Sequence, residues 1–349
     1  MAGSLEFIKS ASTTSNVSSL SVTDCFSDKY DVYKVILEVN EVSSESALDT
    51  RLIDSGGSVI SATEYDTATL SGEGTTFYQY RNVNSNKWQY TGFFEGSVGG
   101  FFVAYIYNPN DSSSYTFITM QNATHWINSS TPELIGRKYI GVHKVAEQIT
   151  GINIFDSSGS STITNAKINV YGVKWIMSGS LIKIDEEIVS SAVASVTLTG
   201  IDSTYDVYQV VASNLKSASD DKDLYMRVTV SGTAQTTSNY DEATKNLRTD
   251  TTFSNSALTN LDRWQPFSAL GNATGENGNL VCYLFNFNNA SEYSFCTRES
   301  AYNVYDIDLF GMQGGGVYTV AEAHNGVNFS LESGTNFSSG TFTLYGLKK

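Results

Sequence analysis

Tyr30-Asp31-Val32-Tyr33-Lys34-Val35 and Tyr205-Asp206-Val207-Tyr208-Gln209-Val210 are one motif met twice in a chain of 349 residues. In the first copy Tyr33, Val35, Leu37 and Val39 alternate with Val32, Lys34, Ile36 and Glu38. In the second, Tyr208, Val210 and Ala212 alternate with Val207, Gln209 and Val211. A period of two places the first set of each copy on the apolar face of a β-strand.

Matches continue in the same order along the chain. Ser4-Leu5 opens like Ser180-Leu181, and Leu48-x-x-Arg51 matches Leu224-x-x-Arg227. Phe102-Val103-Ala104-Tyr105 matches Leu280-Val281-Cys282-Tyr283, and Tyr115 then matches Tyr293. Val145-Ala146-Glu147 matches Val320-Ala321-Glu322, and Tyr171-Gly172-Val173-Lys174 matches Tyr345-Gly346-Leu347-Lys348. The offset stays between 174 and 178 residues. That period is far longer than a solenoid or propeller unit, so each copy is expected to be a whole domain. The boundaries expected are 1–174 and 175–349, an internal duplication. The join, Trp175-Ile176-Met177-Ser178-Gly179, is no Gly/Ser spacer, so two closely set domains are expected.

Alternating Val, Tyr, Thr and Phe dominate both copies, and sustained 3.6-residue periods are missing. Turn chemistry separates the apolar runs, as at Ser55-Gly56-Gly57-Ser58 and Asn108-Pro109-Asn110-Asp111. The expected fold is all-β: two tandem homologous antiparallel β-sandwiches, jelly-roll-like, each of about eight to ten strands. The glycines of the two closing segments, Gly172 and Gly346, read as bulge or bend positions.

Composition narrows the function classes. With 21 basic and 36 acidic residues the formal charge is −15, which repels polyanions and argues against nucleic acid as a partner. No apolar run reaches the roughly 18 residues a spanning helix needs, and no basic n-region with an apolar h-region opens the chain. Three cysteines in this length cannot form a stapling framework, although Cys282 and Cys296 lie on segments that could pair.

A search for reactive constellations finds no nucleophile elbow, phosphate-binding loop, dinucleotide fingerprint or zinc-ligand spacing. No catalytic residue, cofactor or metal is therefore expected. Asp206, Asp241 and Glu242 read as solvated surface carboxylates, and Asp220–Asp223 as a solvated loop rather than a calcium site. The matched tyrosines read as fold anchors, with the ring in the core and the hydroxyl satisfied at its edge. Stacking on sugar rings is the alternative. Arg51 and Arg227 are expected to cover an aromatic face or pair with a loop carboxylate. Trp88, Trp126 and Trp264 are the candidates for glycan contact, though Trp88 and Trp264 correspond at an offset of 176.

Taken together, Y-D-x-Y-x-V, L-x-x-R, the Ser61–Tyr65 and Thr237–Tyr240 segments and the terminal Y-G-[VL]-K resemble a repeated β-sandwich domain. That domain belongs to virion proteins of tailed bacteriophages, especially marine and cyanobacterial phages. The resemblance spans both copies and implies a non-enzymatic structural protein on the particle exterior. Capsid decoration, head fibre and tail fibre are the placements it allows. It implies other virion proteins of the capsid or tail as partners, and synthesis in the host cytoplasm. A host-surface glycan and further copies of the chain complete the expected partners; no membrane is expected among them. The alternative is a carbohydrate-binding adhesin module.

Overall fold

The computed structural model describes residues 5–347 except 75, 95, 129–130, 157, 174–180, 251 and 305–307; of 125–128 and 131–133 it describes the backbone alone. The join between the copies therefore lies outside the described residues. The chain divides into two compact units, the first being Leu5–Val173.

The first unit contains β1 (Leu5–Thr13), β2 (Ser19–Val22), β3 (Val32–Val42), β4 (Ser46–Asp54), β5 (Tyr65–Glu73) and β6 (Thr76–Ser85). It continues with β7 (Trp88–Phe94), β8 (Gly100–Tyr107), β9 (Thr116–Asn128), β10 (Thr131–His143), β11 (Ile149–Asp156) and β12 (Ile163–Val173). An eight-stranded sheet runs β1-β12-β3-β8-β9-β10-β5-β6, and a four-stranded sheet runs β2-β11-β4-β7.

The second unit contains β13 (Leu181–Val189), β14 (Ser195–Thr199), β15 (Val207–Ser217), β16 (Lys222–Val230), β17 (Thr233–Ala234) and β18 (Tyr240–Arg248). Then follow β19 (Ser254–Leu261), β20 (Trp264–Leu270), β21 (Gly278–Phe285), β22 (Ser294–Asn303), β23 (Leu309–Tyr318), β24 (Gly326–Leu331) and β25 (Phe337–Leu347). Its large sheet runs β13-β25-β15-β21-β22-β23-β18-β19 and its small one β14-β24-β16-β17, with β20 also pairing β16.

Position by position this repeats the strand order of the first unit, with β17 added. The protein is thus all-β, and each unit is an antiparallel sandwich of one large and one small sheet. Each holds more strands than the alternation reveals, because short or polar strands such as β2 and β6 carry little apolar periodicity. No helix among the described residues is long and apolar enough to cross a membrane.

The strand that decides the fold behaves as its pattern demands. Tyr33, Val35, Leu37 and Val39 of β3 are buried in a core shared with Leu48, Leu52, Ile152 and Ile154 of the small sheet. Tyr208, Val210 and Ala212 do the same in the second unit. There the opposite face is covered too. Gln209 and Val211 are buried, with Tyr345 and Thr343 of β25 directly opposite them.

The matched tyrosines largely anchor the fold. The Tyr33 hydroxyl accepts from Ser27 N–H (2.8 Å) and donates to Ser27 C=O (2.9 Å). Tyr208 makes the same pair with Asp202, at 2.9 and 2.5 Å. Tyr65 accepts from Leu52 N–H and donates to Ile60 C=O; Tyr240 accepts from Val228 N–H and donates to Gln235 C=O. Each ring is buried while its hydroxyl satisfies the backbone of a turning segment. Tyr293 departs from this pattern: it is exposed, whereas its match Tyr115 is half-buried.

Gly172 and Gly346 have a different role from the bend read in the sequence. Both keep ladder register, Gly172 opposite Tyr33 and Gly346 opposite Tyr208. A Cβ on Gly172 would overlap the ring of Tyr30, and one on Gly346 the ring of Tyr205. The first tyrosine of Y-D-x-Y and the glycine of Y-G are therefore two halves of one contact. Gly172→Ala and Gly346→Ala are each expected to cost about 1–3 kcal/mol through overpacking. Thermal melts of both variants check this, and unchanged midpoints would refute it.

Candidate functional site

The sequence-predicted tryptophans do not form a site. Trp88 and Trp264 are fully buried. The Trp88 indole donates to Val142 C=O (3.2 Å) and stands edge-on to Tyr65 at 5.6 Å. Trp264 donates to Asp241 C=O (3.3 Å) and stands edge-on to Tyr240 at 5.1 Å. Rings enclosed this way present no face to a sugar, so both are core residues rather than glycan contacts. Trp126 lies on β9, and its side chain is outside the described residues.

Other candidates resolve as structural groups. Arg51 lies 4.3 Å above the Phe155 ring, and Arg227 pairs with the Asp262 carboxylate at 2.9 Å. Glu242 is no surface carboxylate: it is buried against Arg298 at 2.7 Å. The Asp220 carboxylate accepts from Asp221 N–H within the loop, and that of Asp223 from Ala269 N–H of β20, so these oxygens are spent on backbone hydrogen bonds. Cys282 and Cys296 are free and buried on neighbouring strands. Cys282 faces Arg298 and Cys296 faces Leu284, a diagonal rather than a direct pair.

A cleft of about 220 Å³ opens elsewhere in the first unit, lined by Glu73, Tyr80, Tyr90, Phe93, Ile135 and Arg137. These residues come from β5, β6, β7 and β10. Strand β6 ends the large sheet, so Tyr78 and Tyr80, two apart, share one face of an edge strand and stack at 6.1 Å. Arg137 forms the floor. Its guanidinium lies 5.9, 5.8 and 6.0 Å from the rings of Tyr80, Tyr90 and Phe93.

Hydrogen bonds hold this floor in place. Arg137 Nε donates to Ser71 Oγ (3.0 Å), and Nη2 to Glu73 Oε1 (3.3 Å). Glu73 also accepts from the hydroxyls of Ser71 (2.7 Å) and Tyr80 (3.1 Å). Burial, and then the Glu73 charge, push the Tyr80 phenol above its ordinary range, so it stays a neutral donor and acceptor.

Tyr90 is held in the left-handed backbone region, at φ 56°. That conformation is rare for a bulky side chain and clusters at functional positions. Its N–H donates to Asp49 Oδ1 (2.7 Å), and Asp49 is ion-paired with Lys87 (2.7 Å). The strain aims a partly exposed ring at the cleft rather than into the core.

Aromatic walls around a fixed guanidinium–carboxylate pair can take the C–H face of a pyranose and hydrogen-bond its hydroxyls. Glu73 is the one carboxylate among the described residues lining the cleft, whereas glycoside hydrolysis commonly needs two. The second unit does not repeat the arrangement. Met312 has the register of Arg137, and Asn246 that of Ser71.

No family model matches the chain, and no curated protein matches it. Among solved structures, domains LG4-5 of the mouse laminin alpha1 chain align at 12% identity, covering 96% of this chain and 88% of that one, with a TM-score of 0.21. The structure of Sulfolobus Turreted Icosahedral Virus aligns at 8% identity, covering 98% and 89%, with a TM-score of 0.18. Ail, the attachment invasion locus protein of Yersinia pestis, aligns at 8% identity, covering 79% and 97%, with a TM-score of 0.13.

Proposed function

We propose that the protein is a non-enzymatic glycan-binding structural component of a tailed-phage particle. The Tyr80–Tyr90–Phe93 cleft around Arg137 is the observation that carries the binding. The virion setting rests on the sequence motifs, which resemble those of phage exterior proteins. Binding without cleavage is the reading because the cleft offers one carboxylate and a neutral phenol rather than an acid–nucleophile pair. Its partners are capsid or tail proteins and a host-surface polysaccharide. The net charge of −15 suits a soluble exterior surface and opposes contact with packaged DNA. The open edge strand β6, where Phe77 and Val83 are exposed, is where a neighbouring subunit would pack.

An array of bacterial surface polysaccharides probed with the labelled chain tests the binding. The expected result is retention on a restricted set of polysaccharides, weakened about tenfold or more by Tyr90→Ala or Arg137→Ala. No reducing ends should be released from the bound polymer. Absence of binding across the array, or binding indifferent to both variants, overturns the glycan reading. Mass spectrometry and immunogold labelling of purified particles test the setting, and absence of the chain from the virion overturns it.

A further inference from the structure

The repeated Val-Ala-Glu motif has no part in the cleft, and its glutamates face something specific. In the first unit His143 ends β10, Glu147 lies in the following loop, and Glu64 immediately precedes β5. His143 is fixed in the sheet between Tyr65 and Thr116. Lys144 N–H donates to Glu64 C=O (2.8 Å), and Glu147 N–H to Val145 C=O (3.1 Å), which folds the loop back over the imidazole. His143 Nε2 then stands 3.1 Å from Glu64 Oε2 and 3.6 Å from Glu147 Oε1. One ligand atom from each of the three residues lies within 4.8 Å of the others.

Those spacings suit a metal ion. Tetrahedral coordination with bonds near 2.0–2.2 Å sets ligand atoms about 3.3–3.5 Å apart. The imidazole is fully buried while the two carboxylates are about a third exposed (33% and 34%), so a fourth position would open to water. Electrostatics point the same way. Burial lowers the His143 pKa, which favours the neutral imidazole that a metal ion requires. Burial and the charges of Glu64 and Asp54 raise that of Glu147, because carboxylates converge there.

The second unit builds the same pairing from different positions. Tyr318 has the register of His143, and the imidazole comes instead from His324 in the loop beyond it. Its Nε2 is 3.6 Å from Glu322 Oε1, the matched glutamate. That nitrogen is buried without a hydrogen-bond partner, while Nδ1 is held by Ser294 Oγ at 2.9 Å. Asn239 stands where Glu64 stands, directly before the first tyrosine of β18. Both copies thus aim a buried imidazole nitrogen at the Val-Ala-Glu carboxylate, and the first adds a second carboxylate.

We propose that Glu64, His143 and Glu147 bind a divalent first-row transition metal, zinc by preference, clamping β5, β10 and the β10–β11 loop together. A nitrogen ligand selects against calcium and magnesium, which prefer all-oxygen sites. The outer hydrogen bond that usually orients a ligating imidazole is missing, since Nδ1 of His143 has no partner among the described residues. The affinity expected is therefore micromolar rather than that of a dedicated structural zinc site.

The test is isothermal titration of the untagged, chelator-treated full chain with zinc chloride, repeated in excess magnesium. One zinc per first unit is expected, insensitive to magnesium. Glu64→Gln and Glu147→Gln should each weaken it about tenfold or more. Both side chains are partly exposed, and unchanged far-ultraviolet circular dichroism would show that the variants are folded. Glu322→Gln should leave this site unchanged. Cobalt(II) in place of zinc should show visible d–d bands that Glu147→Gln alters. No binding at millimolar zinc, or an affinity unchanged by both glutamine variants, overturns the proposal. So does a loss confined to Glu322→Gln.

Discussion

Replacing Arg298 by alanine is expected to destabilise the second unit by about 3–5 kcal/mol. Arg298 and Glu242 are both buried, joined at 2.7 Å, and Glu242 also accepts from Gln265 N–H (3.0 Å). Removing the guanidinium strands a carboxylate in the core. Protonating or hydrating it there costs more than any exposed pair is worth. Yet the intact pair is poorly satisfied, because Nε and Nη1 of Arg298 have no partner among the described residues. Replacing both, as Arg298→Met with Glu242→Leu, should therefore recover most of the loss. The first unit already runs without charge here. Met120 has the register of Arg298 and Thr67 that of Glu242, and both are buried. Native-state hydrogen exchange of β18 and β22 amides reads the effect unit by unit. A cost below about 1 kcal/mol for Arg298→Ala would contradict a buried, mutually dependent pair.

Trp264→Ala should cost about 3–5 kcal/mol, and Trp88→Ala a similar amount. Each indole fills the space above a glycine that cannot carry a side chain: Gly316 under Trp264 and Gly141 under Trp88. Each packs edge-on against the tyrosine whose hydroxyl fastens a turn, Tyr240 or Tyr65. Truncation opens a cavity that the flanking strands cannot close without breaking their ladders. Hydrogen exchange in each unit measures the loss. If either variant kept its stability and lost polysaccharide binding instead, the assignment of these rings to the core would be wrong.

The residues that carry the fold were legible because they come in pairs. Tyr33 with Tyr208, Tyr65 with Tyr240 and Gly172 with Gly346 recur at offsets of 174 or 175, and recurrence in two diverged copies follows packing. The same logic already counted against Trp88 and Trp264 as ligand contacts. The cleft was hidden for the converse reason. Tyr80, Tyr90 and Arg137 lie on separate strands, so only pairing and strain bring them together. A signal did exist in the aromatic run Phe77-Tyr78-Gln79-Tyr80, because its counterpart in the other copy, Ser254–Leu261, contains no aromatic residue. Glu64 and His143 were invisible as partners, being 79 residues apart and joined only by strand register. Glu242 was misread because nothing local marks a carboxylate whose partner arrives from β22.

The placement of the last two strands of each unit governs how the chain can be made. β12 lies between β1 and β3, and β11 between β2 and β4, with β25 and β24 placed likewise in the second unit. Both sheets of a unit are therefore left with a gap until its last two strands, within 149–173 or 326–347, leave the ribosome. Earlier strands must wait as separated fragments with unpaired edges. Contacts that join the ends of a sequence of this length form slowly, and waiting edges invite pairing with other chains. Two such units in tandem divide the hazard. The first can close while the second is still being translated, so one open sandwich at a time presents unpaired edges to other chains.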